Sequence, residues 1–321
     1  MLLPLKSKGK CGFVDLNGRW QIPPQFEDAG WIEEGRCLVK VGSHYACIDE
    51  NGKLLFPLEY DSIGPFYKGV ARARRGGQWL LINWTGAIVA EIKADNVEMF
   101  MEDMAAIAIG GRAEEWYYRG GKWGYIDTNG REVIPPRFSK ARHFSEGLAE
   151  VEDGSSRGYI NPQGNLVLSL PTGIQTATWF SEGLAAVSDS SDTWCYIDKS
   201  GRVRIGPLPF VTCDAFSEHR AIVTVAGGKS GKEAKFGCID IEGRVVIRPS
   251  LDFICNFHGG VAAFQAGTRW GFMDLFGKQV IPPRFDFAVR FDNWGLAYVT
   301  EGKSQGYIDM AGKWVVKAES D

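Results

Sequence analysis

The sequence lacks most of what marks a membrane protein or a common enzyme. None of its 321 residues falls in a stretch with helical periodicity, and no apolar run approaches the ~20 residues that cross a bilayer as a helix. The segment from Met1 to Lys10 has neither the apolar core nor the small-residue cleavage site of a secretory signal, so the chain reads as cytoplasmic. Positive charge is not in excess: 36 Lys and Arg against 39 Asp and Glu leave a net charge of −3. That removes the field which draws in phosphate backbones, and no nucleic-acid partner is expected. The densest basic run, Arg72-Ala73-Arg74-Arg75, reads as a solvated hairpin edge.

Metal and nucleophile chemistry are equally thin. The four histidines, His44, His143, His219 and His258, are too few and too scattered to make a metal claim. The seven cysteines are odd in number, with no Cys-x-x-Cys pair, and read as small apolar residues in a reducing compartment. There is no Gly-x-Ser-x-Gly elbow and no His-Glu-x-x-His. Gly227-Gly228-Lys229-Ser230-Gly231-Lys232 lacks the leading glycine of a phosphate loop and has no helix behind it, so it reads as a hairpin loop. No catalytic residue, metal or cofactor is expected.

What the chain does have is glycine, 40 residues of it, without collagen spacing: it turns often. The turns are periodic. The glycine of an Asp-x-x-Gly or Asn-x-x-Gly motif recurs at 18, 52, 86, 130, 164, 201, 243, 277 and 312, which makes nine units of about 34 residues. Trp123-Gly124-Tyr125-Ile126-Asp127, followed by Val133-Ile134-Pro135-Pro136-Arg137-Phe138, returns as Trp270-Gly271-Phe272-Met273-Asp274 with Val280-Ile281-Pro282-Pro283-Arg284-Phe285.

Each position has a physical reason. Aromatic and β-branched residues before the Asp favour a strand. The Asp side chain can bond the backbone two residues on, and Gly takes the left-handed conformation that closes a three-residue hairpin loop. A second strand, Glu132-Val133-Ile134, is expected to end at Pro135-Pro136, which have no N–H to donate. Phe144-Ser145-Glu146-Gly147 then turns the chain into a third, Leu148-Ala149-Glu150-Val151. Period-two alternation leaves one apolar face on each unit, so the units must stack to bury their Trp and Phe.

These Trp-Gly-Tyr-Ile-Asp and Val-Ile-Pro-Pro-x-Phe blocks resemble the bacterial WG-repeat (KWG) family across residues 2 to 317. The resemblance implies no agreed catalytic residues. The expected fold is all-β: three- to four-stranded antiparallel meanders arranged as a propeller-like ring, with an open superhelical β-array as the alternative. Residues 1–321 form one domain of about nine units, the last incomplete. A strand at Leu2-Leu3-Pro4-Leu5-Lys6 is expected to complete the final blade. Against a ring, nine blades exceed the usual four to eight.

The recurring Asp residues invite a carboxylate-catalysis reading, but Asn at 83 and 161 keeps the corner hydrogen bond without the charge, which identifies a turn role. Glu146, Glu182 and Glu218 share one station and could form a row of acids; as turn residues they are expected to be exposed. The longest gap holds Gly110-Gly111-Arg112-Ala113-Glu114-Glu115-Trp116-Tyr117-Tyr118-Arg119-Gly120-Gly121, rich in the residue types that anchor interfaces. Trp116, Tyr117, Tyr118 and Arg119 are therefore the candidate partner-binding residues. The alternative is that these aromatics pack on a neighbouring unit. The function expected is a non-catalytic scaffold that binds another protein; the alternative is a carbohydrate-active or other hydrolytic enzyme on the same fold.

Overall fold

The computed structural model describes residues 1–114, 118–154, 156–226 and 234–319. Among them there is no helix, and none long and apolar enough to cross a membrane. The strands form nine small antiparallel sheets, each made of strands consecutive in sequence, and these are the blades of a β-propeller. Blades 1 to 9 span residues 3–26, 28–49, 62–92, 96–138, 140–169, 174–208, 212–251, 253–285 and 287–319. The chain divides into two compact units, Met1–Thr172 with blades 1 to 5 and Gly173–Asp321 with blades 6 to 9.

Blade 8 shows the plan. A two-residue strand, Phe253–Ile254, is followed by Val261–Ala266, Arg269–Asp274 and Gln279–Phe285, each paired to the next. The short first strand is one more than the three clear strands expected from sequence, because two residues are too few to show alternation. The blade thus starts before the Asp turn, and the last blade is complete with four strands. The N-terminal strand Leu3–Ser7 pairs with Lys10–Val14 of its own blade rather than finishing the last one. The reason is local: Lys8 and Gly9, both with positive φ, close a tight hairpin between them.

All nine Asp or Asn corners behave alike. The side-chain oxygen accepts two backbone N–H bonds, from residues two and four positions on, at 2.9–3.1 Å. The closing glycines take φ between 74° and 80°.

The Pro-Pro pair does not end its strand. In blade 4, Trp123 faces Phe138 and Tyr125 faces Ile134, so the partner strand spends two extra residues, Pro135 and Pro136 among them, arching over Gly124. Prolines suit the arch because no ladder bond is made there. The arch also dictates the glycine: a Cβ at Gly124 would lie 2.3 Å from the Ile134 carbonyl oxygen, and one at Gly271 2.6 Å from that of Ile281. In blade 3 there is no Pro-Pro, the register beside the equivalent Leu80 is continuous, and a full side chain fits. Blade 6 inverts the arrangement. Cys195 stands where the glycine is expected, and the facing strand supplies Gly206, whose Cβ would be 2.7 Å from that of Cys195.

Cores form where neighbouring blades face each other. Tyr125, Ile134 and Phe138 of blade 4 pack with Phe144, Val151 and Ile160 of blade 5, and Phe272, Ile281 and Phe285 of blade 8 with Phe291, Val299 and Ile308 of blade 9. Three buried tyrosines carry their polar ends to the next blade. Tyr60 Oη donates to the Gly86 carbonyl, Tyr125 to that of Arg142 and Tyr196 to that of Asp214, at 2.7–2.8 Å.

Candidate functional site

A line of aromatic rings crosses blades 7, 8 and 9 within the second unit. Phe236 lies 5.3 Å from Phe253, Phe253 5.8 Å from Trp270 and Trp270 6.3 Å from Phe287, centroid to centroid, with neighbouring planes inclined by about 60°. Phe236 and Trp270 are half-buried against the cores. Phe253 and Phe287 keep 40% and 45% of their surface exposed. Single exposed apolar residues are ordinary, whereas a continuous run over three blades is not.

The ladder is held by charge at its back. Asp252 and Asp286, each just before a ladder Phe, form an ion pair with the third strand of the preceding blade, through Lys235 and Arg269 respectively. Their second oxygens accept the backbone N–H of Gly267 and Gly302 at the hairpin of the same blade. The Lys235 ammonium, with the Gly267 N–H, holds the Asp252 carboxyl below its usual range. Phe253 and Phe287 are thereby fixed at the first position of their short strands.

The ladder was missed in the sequence, although a signal existed. Residues 236, 253, 270 and 287 are aromatic at a constant step of 17, half a repeat. At the place of Phe253, blades 2 to 7 put Asp28, Ser62, Asn96, Lys140, Thr176 and Thr212. Aromaticity there is a property of blades 8 and 9, not of the repeat.

Of the residues singled out in the long insertion, Trp116 and Tyr117 lie outside the described residues. Their flanks form one hairpin of two ten-residue strands, Met104–Ala113 and Tyr118–Asp127. Tyr118 braces it: its hydroxyl accepts the Gly111 N–H at 3.0 Å and its ring meets Trp123 edge-on at 5.8 Å. Arg119 is exposed and faces Arg112 across the hairpin. The string Gly227 to Lys232 also lies outside the described residues.

The row of acids has a structural use. Each Phe-Ser-Glu-Gly station is a two-residue turn with both central residues at positive φ, which aims two N–H groups outward. Glu102 accepts the N–H groups of Glu146 and Gly147 at 2.6 and 2.8 Å, and Glu218 those of Gly259 and Gly260 at 2.7 and 2.8 Å. Glu182 accepts the N–H of His219, and His219 Nδ1 lies 3.0 Å from the same carboxylate. Glu102, Glu182 and Glu218 are thus latches from one blade to the next.

No group of three or more His, Cys, Asp or Glu among the described residues is placed to hold a metal ion. His258 Nε2 bonds the Asn293 side chain, and burial pushes the His143 pKa down. All seven cysteines are free, and burial pushes the thiols of Cys37, Cys213 and Cys238 up to about 12, far from a reactive thiolate at neutral pH.

Solved structures similar in fold include a eukaryotic initiation factor, at TM-score 0.65 and 12% identity over 98% of this chain and 95% of that one. The computationally designed Ika8 protein aligns at TM-score 0.52 and 11% identity, over 84% of this chain and 91% of that one. Dihydro-heme d1 dehydrogenase NirN aligns at 0.52 and 13%, over 94% and 76%. At such identities the likeness is one of fold alone. No curated protein matches the chain in sequence. Residues 12–45, 45–79, 123–155, 236–267 and 270–303, together more than half of the chain, match the WG containing repeat, and the chain belongs to that family.

Proposed function

We propose that the protein is a non-catalytic scaffold that docks another protein, holding an extended segment of it across the Phe253–Trp270–Phe287 ladder. The ladder itself carries this reading. Its rungs, 5.8 and 6.3 Å apart, lie close to the ~6.7 Å between alternate side chains of an extended peptide. Apolar residues at i and i+2 of a partner can therefore sit beside successive rings. Covering the exposed parts of Phe253 and Phe287 removes roughly 150 Å² of apolar surface from water, about 4 kcal/mol before the costs of association. That suits a contact whose affinity is completed by neighbouring polar groups. The recurring carboxylates serve as hairpin corners and blade latches, which also favours a non-catalytic reading. Trp116, Tyr117, Tyr118 and Arg119 are proposed as a separate docking segment.

Selection of displayed random peptides on the full chain tests the proposal. Winning peptides are expected to carry apolar residues at alternate positions and to lose at least tenfold in affinity against the Phe253→Ser, Phe287→Ser double variant. Winners that bind the double variant and the parent equally well sink the ladder assignment. If they also bind a Trp116→Ser, Tyr117→Ser variant unchanged, that second segment goes with it.

A further inference from the structure

A second feature, independent of the ladder, lies in the first unit between blades 2 and 3. In most blades the same core position is a phenylalanine, and Phe100, Phe144, Phe180, Phe216, Phe257 and Phe291 are all at most 5% exposed. Its counterpart in blade 3, Phe66, is only half-buried. It is stacked on Trp84 instead, with centroids 3.6 Å apart and planes inclined by 17°. Beside the pair is a cleft of about 300 Å³, lined by Trp31, Phe66 and Trp84 with Cys37 and Leu38 below. Cys37 is a spent group here, its thiol donating to the Gly30 and Leu38 carbonyls.

Two opposite charges stand at the cleft. Glu33 and Arg36 pair across a two-residue turn, each donating its N–H to the other's carbonyl at 2.8–2.9 Å. Both side chains line the cleft, yet neither has an ion-pair partner among the described residues. Arg36 instead lies over the Trp84 ring, 5.3 Å from its centroid. At the corresponding station the other blades place Val70, Met104, Leu148, Leu184, Arg220, Val261 and Leu296, and Arg220 donates to the Leu275 carbonyl of the next blade. Arg36 thus combines a charge with a stacked aromatic wall and an unmatched acid three residues away.

We propose that this cleft binds a free aromatic amino acid: the ring against Trp31, Phe66 and Trp84, the carboxylate on Arg36 and the ammonium on Glu33. The charge pair selects a zwitterion, since a simple acid leaves Glu33 unmatched and an amine leaves Arg36 unmatched. The volume is at the small end for ligand sites and fits a molecule of about 12–15 non-hydrogen atoms. The guanidinium lies over the Trp84 ring, 5.3 Å from its centroid, so a carboxylate that meets it leaves its own ring beside the aromatic wall.

Calorimetric titration of the full chain with L-phenylalanine and L-tryptophan tests the site. Expected is saturable binding that L-leucine, phenylacetate and phenethylamine reproduce at least tenfold more weakly. Arg36→Gln and Glu33→Gln are each expected to weaken binding at least tenfold with an unchanged thermal melt. Phe253→Ser, Phe287→Ser is expected to leave it untouched, which separates this site from the docking ladder. The proposal is overturned if neither amino acid gives saturable heat up to about 10 mM, if phenylacetate or phenethylamine binds as tightly as the zwitterion, or if both charge variants keep the parent affinity. Trp84→Leu is expected to abolish binding; should that variant unfold, the two charge variants on the exposed turn still decide.

Discussion

Replacing Gly271 with alanine places a single methyl group under the Pro282-Pro283 arch. The new Cβ would lie 2.6 Å from the Ile281 carbonyl oxygen, 2.7 Å from Pro283 N and 3.0 Å from the Pro282 carbonyl carbon, where ordinary contact begins near 3.4 Å. All three neighbours are backbone, and none is the free end of a side chain, so the overlap can be relieved only by lifting the arch. Lifting it pulls Phe285 and Ile281 away from their pairing with Trp270 and Phe272 in the blade 8 to blade 9 core. Overpacking of this kind costs about 3 kcal/mol, at the upper end of the usual range because nothing flexible can yield. Urea unfolding followed by tryptophan fluorescence reads this as a lower midpoint, with the second unit melting first if the two units separate. Blade 6 is the internal control: Cys195→Gly is expected to cost less than about 1.5 kcal/mol, while Gly206→Ala, meeting Cys195, is expected to match Gly271→Ala. A Gly271→Ala midpoint equal to the parent's refutes the explanation of the Trp-Gly motif.

Three further outcomes follow from individual hydrogen bonds. Tyr125→Phe removes the buried hydroxyl that bonds the Arg142 carbonyl at 2.7 Å and leaves that carbonyl without it; a loss of about 1 kcal/mol is expected in the same urea assay. Glu218→Ala deletes the latch to Gly259 and Gly260; about 1 kcal/mol is expected, together with faster amide exchange at those two residues, and unchanged exchange would dismiss the latch. The carboxyls of Asp15, Asp198 and Asp252 are all held below their usual range by hydrogen bonds, Asp198 at about 2 through Ser200 first and the Arg202 backbone next. A lowered folded pKa gives stability that is present above the unfolded value near 4 and lost as pH falls toward the folded one. The urea midpoint is therefore expected to fall between about pH 4 and pH 2, and a flat profile there contradicts it.

The candidate sites were less legible than the fold. The ladder's step of 17 residues is written in the sequence, but it stands out only once Phe236, Phe253, Trp270 and Phe287 prove to touch. Trp116 and Tyr117 drew attention by composition, and their described neighbour Tyr118 turned out to brace its own hairpin. The cleft at Arg36 had no sequence signature. Phe66 aligns with six buried phenylalanines, and its displacement depends on Trp84, contributed by a turn eighteen residues on.

What the sequence determined by itself is the repeat and its hairpin corner. Asp127 to Gly130 and their eight counterparts close through bonds among five consecutive residues, so local chemistry is sufficient. Tertiary structure alone decided where each blade begins, because a two-residue strand such as Phe253–Ile254 exists only through its pairing with Gln265 and Phe264. It also decided that the prolines arch over a glycine instead of ending a strand, and that Glu102 and Glu218 serve as latches. Each of these contacts joins groups from different strands or blades. Their partners are chosen by the packing of apolar faces, a property no single segment of the chain possesses.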